Sequence, residues 1–175
     1  MRKFGLTALL LACTVLAAST SYAANTGTSA VTLAASANTV LQIIDATMTL
    51  TPNATDYTND FVEVTGASGL RVRVKSNSST GCVLSVKCTD ASPQIALADF
   101  LVRTQTAAGA GGSTLSSYAA ITASDQALWS TGTAQITFLQ VNTDIRVQNL
   151  FAYPDAIGPG TTSYTNNLTY TVVAQ

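Results

Sequence analysis

Histidine is absent from this 175-residue chain. With it go the commonest general base and the commonest metal ligand. The Ser–His and Cys–His pairs of most nucleophilic enzymes are therefore excluded. Charge is scarce too: Asp, Glu, Lys and Arg make up 10% of the residues, against about 25% in an ordinary globular domain. Ser, Thr, Asn and Ala fill the polar positions instead. The formal net charge is −1, which speaks against nucleic acid or an anionic membrane as a partner, since either needs a basic patch. No Asp-rich loop carries the glycine and closing glutamate of a calcium site; a calcium ion held by Asp56 and Asp60 would be a guess. Gly109, Gly111 and Gly112 lack the lysine and the strand–loop–helix setting of a phosphate cradle. No cofactor and no metal is expected.

One long apolar run is present, over residues 6–18, and it sits behind Arg2 and Lys3. It falls short of the roughly 20 apolar residues a membrane span needs. Ser21-Tyr22-Ala23 follows with small residues where a signal peptidase reads. Residues 1–23 are thus expected to be a secretion signal, cut between Ala23 and Ala24. The rival reading makes Leu10-Leu11-Ala12-Cys13 a lipobox, and it ranks second because it leaves a very short hydrophobic region. Secretion to the cell surface or beyond follows, through a periplasm if the host has two membranes. The remaining chain of about 150 residues suffices for one core.

That remainder reads as strands. Leu70, Val72 and Val74 alternate with Arg71, Arg73 and Lys75, which is one buried and one wet face, and the basic stripe is read as solvated. Ile44, Ala46, Met48 and Leu50 alternate up to Pro52. Cys82, Leu84, Val86 and Cys88 share a face. Leu139, Val141, Thr143, Ile145 and Val147 share another, out of phase with Ile136 and Phe138, so a bulge is expected near 138–139. Tyr164, Leu168, Tyr170 and Val172 mark the last strand. Shorter candidates are 60–65 and 100–106. Turn chemistry separates them at 51–59, 66–69, 76–81, 90–93 and 107–113, and residues 124–128 suggest a helical turn. The pattern predicts an all-β domain over 39–175, a two-sheet antiparallel sandwich of about seven to nine strands. An extended N-terminal arm, 24–38, precedes it. The arm is uncharged, with Val31, Leu33 and Ala35 at alternating positions. As a first strand within its own sandwich it is the favoured reading; as a strand donated to a neighbour's open edge it ranks close behind.

Catalytic residues are not assigned. A Ser–Lys pair would need Lys75 or Lys87, both on outward faces. A carboxylate pair among Asp45, Asp56, Asp60, Glu63, Asp90, Asp99, Asp125, Asp144 and Asp155 is singled out by nothing. Most lie beside turns, where Asp bonds local backbone amides. An exported chain usually oxidises two cysteines together. Yet Cys82 and Cys88 sit in one apparent strand, about 20 Å apart, where a disulfide needs roughly 4.4–6.8 Å. The intrachain bond ranks first, free thiols second and an inter-subunit link third. Asn53, Asn77 and Asn167 stand in glycosylation sequons at about the chance frequency for so Ser/Thr-rich a chain. Tyr57, Tyr118, Trp129 and Tyr153 are candidate loop aromatics for a ligand.

The runs 43–52, 70–76 and 136–147, then Gly158-Pro159-Gly160 and a closing Thr/Tyr-rich strand over 164–173, resemble the Ig-like sandwich subunits of bacterial and archaeal surface appendages. The resemblance is one of layout. It implies self-assembly into an extracellular filament, pilus or coat, with the arm completing the next subunit's sheet. The main partner would be the chain itself, joined by a secretion chaperone or surface ligand. A monomeric adhesin or carbohydrate-binding module is the second reading, and a hydrolase the third.

Overall fold

The computed structural model describes residues 30–106, 111–154 and 163–175. The proposed signal and its cleavage position, Gly109, Asp155 and the Gly158–Gly160 turn lie outside them. The chain divides into two units, Met1–Ala34 and Ala35–Gln175. Residues 30–34, the described part of the first, form no strand, and Val31 and Leu33 are 95% and 88% exposed.

The second unit is an all-β sandwich of two antiparallel sheets. Its strands are β1 (Thr39–Ile43), β2 (Phe61–Val64), β3 (Leu70–Ser76), β4 (Cys82–Cys88), β5 (Phe100–Thr106), β6 (Ser113–Thr114), β7 (Ala119–Ala120), β8 (Gln126–Thr131), β9 (Gln135–Gln148) and β10 (Leu168–Ala174). The larger sheet runs β1-β3-β9-β5-β7. Strand β9 is long enough for β3 and β2 to lie end to end along one of its edges, with β5 on the other. The smaller sheet runs β10-β4-β8-β6. The core lies between them, where Val72, Val74, Val102, Val141 and Ile145 of one sheet meet Cys82, Leu84, Val86, Leu128 and Trp129 of the other.

The two-residue period holds in β3, β4 and β5 and in the second half of β9. A bulge lies in β9 where one was expected: Val74 pairs with Leu139 and Ser76 with Gln135, so β9 spends two extra residues there. An even insertion keeps the parity, and Ile136 and Phe138 face outward on the parity that Leu139 and Val141 set. Gly81 makes the tight β3–β4 turn possible. Its φ is +91°, and a Cβ there would run into the Thr131 carbonyl.

Four expectations need correction. The run 43–52 is not a strand; β1 is Thr39–Ile43. After Ile43 the Asp45 carboxylate takes both the backbone N–H and the guanidinium of Arg71, at 3.0 and 2.7 Å. That pulls the chain off the ladder. Residues 51–59 are not all turn, because Ala54–Asn59 forms a helix, α1. Asn53 Oδ1 accepts from the Thr55 and Asp56 amides, and Asp56 Oδ2 accepts from the Asn53 amide, a complete capping box. Residues 124–128 form no helical turn: Gln126–Leu128 open strand β8. Last, Cys82 and Cys88 are free and end-capping members of one straight strand. Extended backbone holds them about 20 Å apart, so the intrachain disulfide does not form.

Both thiols are buried, and burial pushes the pKa of each upward. Neither should react with a maleimide in the native protein, and both should react within minutes in denaturant. Mass spectrometry counts the adducts. Fewer than two in denaturant would mean a disulfide after all.

Candidate functional site

The sandwich is closed unevenly. Strands β1 and β10 are the edges of their sheets on the same side, and each has a ladder on one flank only. Across that side a hydrogen bond runs from Thr39 Oγ1 to the Val172 carbonyl at 3.4 Å. The core thins as it nears this side. In β4, Cys82, Leu84, Val86 and Cys88 are buried, but their β10 neighbours Leu168, Tyr170 and Val172 are half-buried. Ile43, on the inward parity of β1, is 46% exposed, although its partner Val72 is buried. Beneath this side the Tyr170 hydroxyl is enclosed without a hydrogen-bond partner. Burial pushes its pKa up to about 12. A sandwich that closed fully would cover these residues; this one leaves an apolar strip beside two unpaired backbone edges.

The arm joins at one end of the same side. Asn77, in the β3–β4 turn, holds it at its root: Nδ2 donates to the Ser36 carbonyl at 2.9 Å, and Oδ1 accepts from the Asn38 amide. The Asn77 amide in turn donates to the Asn38 carbonyl. The C-terminus is fixed close by, where Ser78 and Thr80 hydroxyls donate to the Gln175 carbonyl. Beyond Ser36 no ladder takes over. Residues 30–38 form no strand, so over that part the arm is not the first strand of its own sandwich. Val31, Leu33 and Ala35 all lie exposed.

The outer face of the larger sheet carries a polar network absent from the sequence reading. Asp144, fully enclosed on the outward side of β9, accepts from Arg103 Nη2 at 2.6 Å, Arg103 Nε at 3.0 Å, Gln105 Nε2 at 2.9 Å and the Gly66 amide at 2.7 Å. Glu63 accepts from Arg146 at 2.6 Å and from the Tyr118 hydroxyl at 3.1 Å. Burial opposes its ionisation, but these donors outweigh burial and hold its pKa below the usual value. Tyr118 lies between the Arg103 and Arg146 guanidinium groups, 4.5 and 4.2 Å from its ring centre. Burial and the Glu63 carboxylate push its phenol up to about 12. Every charge here is answered within the network, so it braces the sheet and leaves no free group for chemistry.

The other candidates separate. Of the four loop aromatics, Trp129 is 1% exposed in the core, which removes it as a ligand platform. Tyr118 is enclosed by arginines, and Tyr153 donates to Asp99 at 2.7 Å. Tyr57 remains, stacked on Phe151 at 5.6 Å. The sequon asparagines all have structural duties: Asn53 caps α1, Asn77 holds the arm, and Asn167 Nδ2 donates to Asp90 at 2.7 Å. Lys75 lies over Phe138, and Lys87 is paired with Asp125. Asp56 is spent on the helix cap. Among the described residues no cluster of three or more acidic or cysteine side chains could hold a metal, and no helix is long and apolar enough to cross a membrane. No protein-family model, curated protein or solved structure matches the chain.

Proposed function

We propose that this protein is a structural subunit of an extracellular filament, pilus or surface coat, assembled by strand addition. The arm, residues 24–38, of one copy lies along the open side of the next, where β1 and β10 offer unpaired edges. A single observation carries the reading. Val31 and Leu33, apolar residues two apart, stand 95% and 88% exposed in a strandless segment, while the sandwich leaves Leu168, Tyr170 and Val172 half-buried and Ile43 46% exposed along its β1 and β10 edges. Residues 24–34 extended reach about 36 Å, and the seven residues of β10 span about 23 Å, so the arm is long enough for a neighbour's full edge. Main-chain bonds would supply the affinity, and alternate side chains entering the strip would set the register. Export by the 1–23 signal and cleavage after Ala23 belong to the same reading, since they free the arm's first residue.

Replacing Val31 and Leu33 together by Asp tests it. Burying the two side chains is worth about 3–6 kcal/mol in all, so the critical concentration for assembly should rise a hundredfold or more. The sandwich's unfolding midpoint should not move, because neither residue belongs to its core. Sedimentation velocity reads the first quantity and urea unfolding the second. Unchanged assembly of the double variant would refute strand addition by this arm.

A further inference from the structure

The sandwich is electrically polar along its length. Four ion pairs, Arg71–Asp45, Lys87–Asp125, Arg103–Asp144 and Arg146–Glu63, use four of the cations. Among the described residues, the cations left over are Arg73 and Lys75. Both lie on the outer face of β3, in the half that ends at the arm's root, where Ser76 meets Thr39 and Gln135. The carboxylates left without a cation are Asp56, Asp60, Asp90 and Asp99. All four lie at the opposite end, beside α1 and the strand ends Phe61, Cys88 and Phe100. One oxygen of Asp60 is enclosed there with no donor.

Exposed apolar side chains follow the same division. Among the described residues of Ala35–Gln175 the large ones are Val40, Ile136, Phe138 and Val173 at the arm's end, Tyr57 and Phe151 at the far end, and Ile43 between. Each end thus pairs an apolar patch with unpaired side-chain charge of one sign. Ile136 and Phe138 are 76% and 44% exposed beside Lys75, whose ammonium sits 4.8 Å over the Phe138 ring. Tyr57 and Phe151 are 40% and 76% exposed and stacked on each other, and Tyr57 stands in α1 between Asp56 and the C-cap Asp60.

We propose that copies of this chain dock end to end, the Lys75–Phe138 end of one against the Asp60–Phe151 end of the next. The two surfaces are different, so the contact is heterologous: each docked copy presents a fresh end, and the array grows without closing. Opposite charge steers and orients the encounter, and the apolar patches give it area. The contact needs no strand exchange. It is a second joint beside strand addition and stands or falls apart from it.

One exposed position, Asn59, and one half-buried position on the outer face of β3, Lys75, test the charge match without touching the core. Asn59→Lys adds a cation at the last turn of α1, where the helix dipole favours one. Lys75→Glu puts an anion at the other end. Both are made in the full chain that also carries Val31→Asp and Leu33→Asp, so strand addition is already disabled. The parent of this set should self-associate weakly, more tightly at 20 mM than at 500 mM salt by about tenfold. Either single variant should lower association at low salt by about tenfold. The pair together should restore part of it, because the cation added at position 59 then faces the anion added at position 75 across the joint. Sedimentation velocity gives the constants and circular dichroism confirms folding. A parent with no self-association, singles that match it, or a pair as weak as the singles would overturn the docking. None of those results bears on the arm, whose own test is the Val31 and Leu33 pair of substitutions in an otherwise unaltered chain.

Discussion

Asp144→Ala should lower the unfolding free energy by about 3 kcal/mol, the low end of the cost of breaking a buried ion pair. Four donors converge on this carboxylate from two separate stretches of chain: Arg103 twice and Gln105 from β5, and the Gly66 amide. Removing it leaves the half-buried Gly66 N–H and the Gln105 amide without their acceptor, and only the exposed Gln105 can readily turn to water. The low end is expected because the Arg103 side chain is 30% exposed and still rests on the Tyr118 ring. It can turn toward water. Asp144→Asn keeps the shape and one acceptor oxygen and should cost about half as much. Urea unfolding of the two variants measures both. A loss under 1 kcal/mol for Asp144→Ala would mean the network decorates the sheet without bracing it.

The position of Asp144 shows where sequence reading stops. Its parity, between buried Thr143 and Ile145, correctly places it on the outward face of β9. An outward aspartate reads as solvated. Only the register reveals otherwise: Arg103 stands directly across from Asp144, and Glu63 directly across from Arg146. The 3-10 turn Gly66–Ser68 then supplies an amide to the same carboxylate. Cross-strand partners separated by 41 and 83 residues leave no local pattern.

Elsewhere the pattern was legible in proportion to how regular the strand is. Residues 100–106 alternate cleanly, and β5 covers the same span. Five inward residues fixed the phase of β9; the bulge stands where it was expected, but Ile136 and Phe138 keep that phase and face outward instead of slipping from it. Strand β8 hid for the opposite reason. Leu84 pairs with Trp129 and Ser85 with Ala127, which makes Leu128 the extra residue of a bulge. Leu128 and Trp129 are therefore buried side by side, and two adjacent apolar residues in a short run look helical. In 44–52 the apolar alternation was real, since Met48, Leu50 and Pro52 are half-buried. It simply packs without a ladder once Asp45 has bound Arg71. Helix α1 was readable in principle from Asn53 followed three residues later by Asp56, a cap signal in a stretch otherwise rich in turn formers. The arm and the open side were legible only halfway. The sequence supplied the alternation of Val31, Leu33 and Ala35, and the thinning core under β1 and β10 had no signature at all.

The arm makes the second large effect. Deleting residues 24–38 removes no described strand and no core residue. It does remove the Ser36 and Asn38 contacts of Asn77, each worth about 1 kcal/mol. The shortened sandwich should therefore fold, with a modest loss of stability, and keep its native circular dichroism. Its assembly should fail. End-to-end docking alone, through a few exposed charges and small apolar patches, would leave short oligomers that dissolve in salt.

Negative-stain electron microscopy of the purified chain beginning at Ala24, beside the chain beginning at Thr39, is the most direct test. Strand addition predicts long unbranched fibres from the first at micromolar concentration and in 500 mM salt, and single particles from the second. Equal fibres from both chains, or single particles from both at every concentration that keeps them soluble, would contradict it.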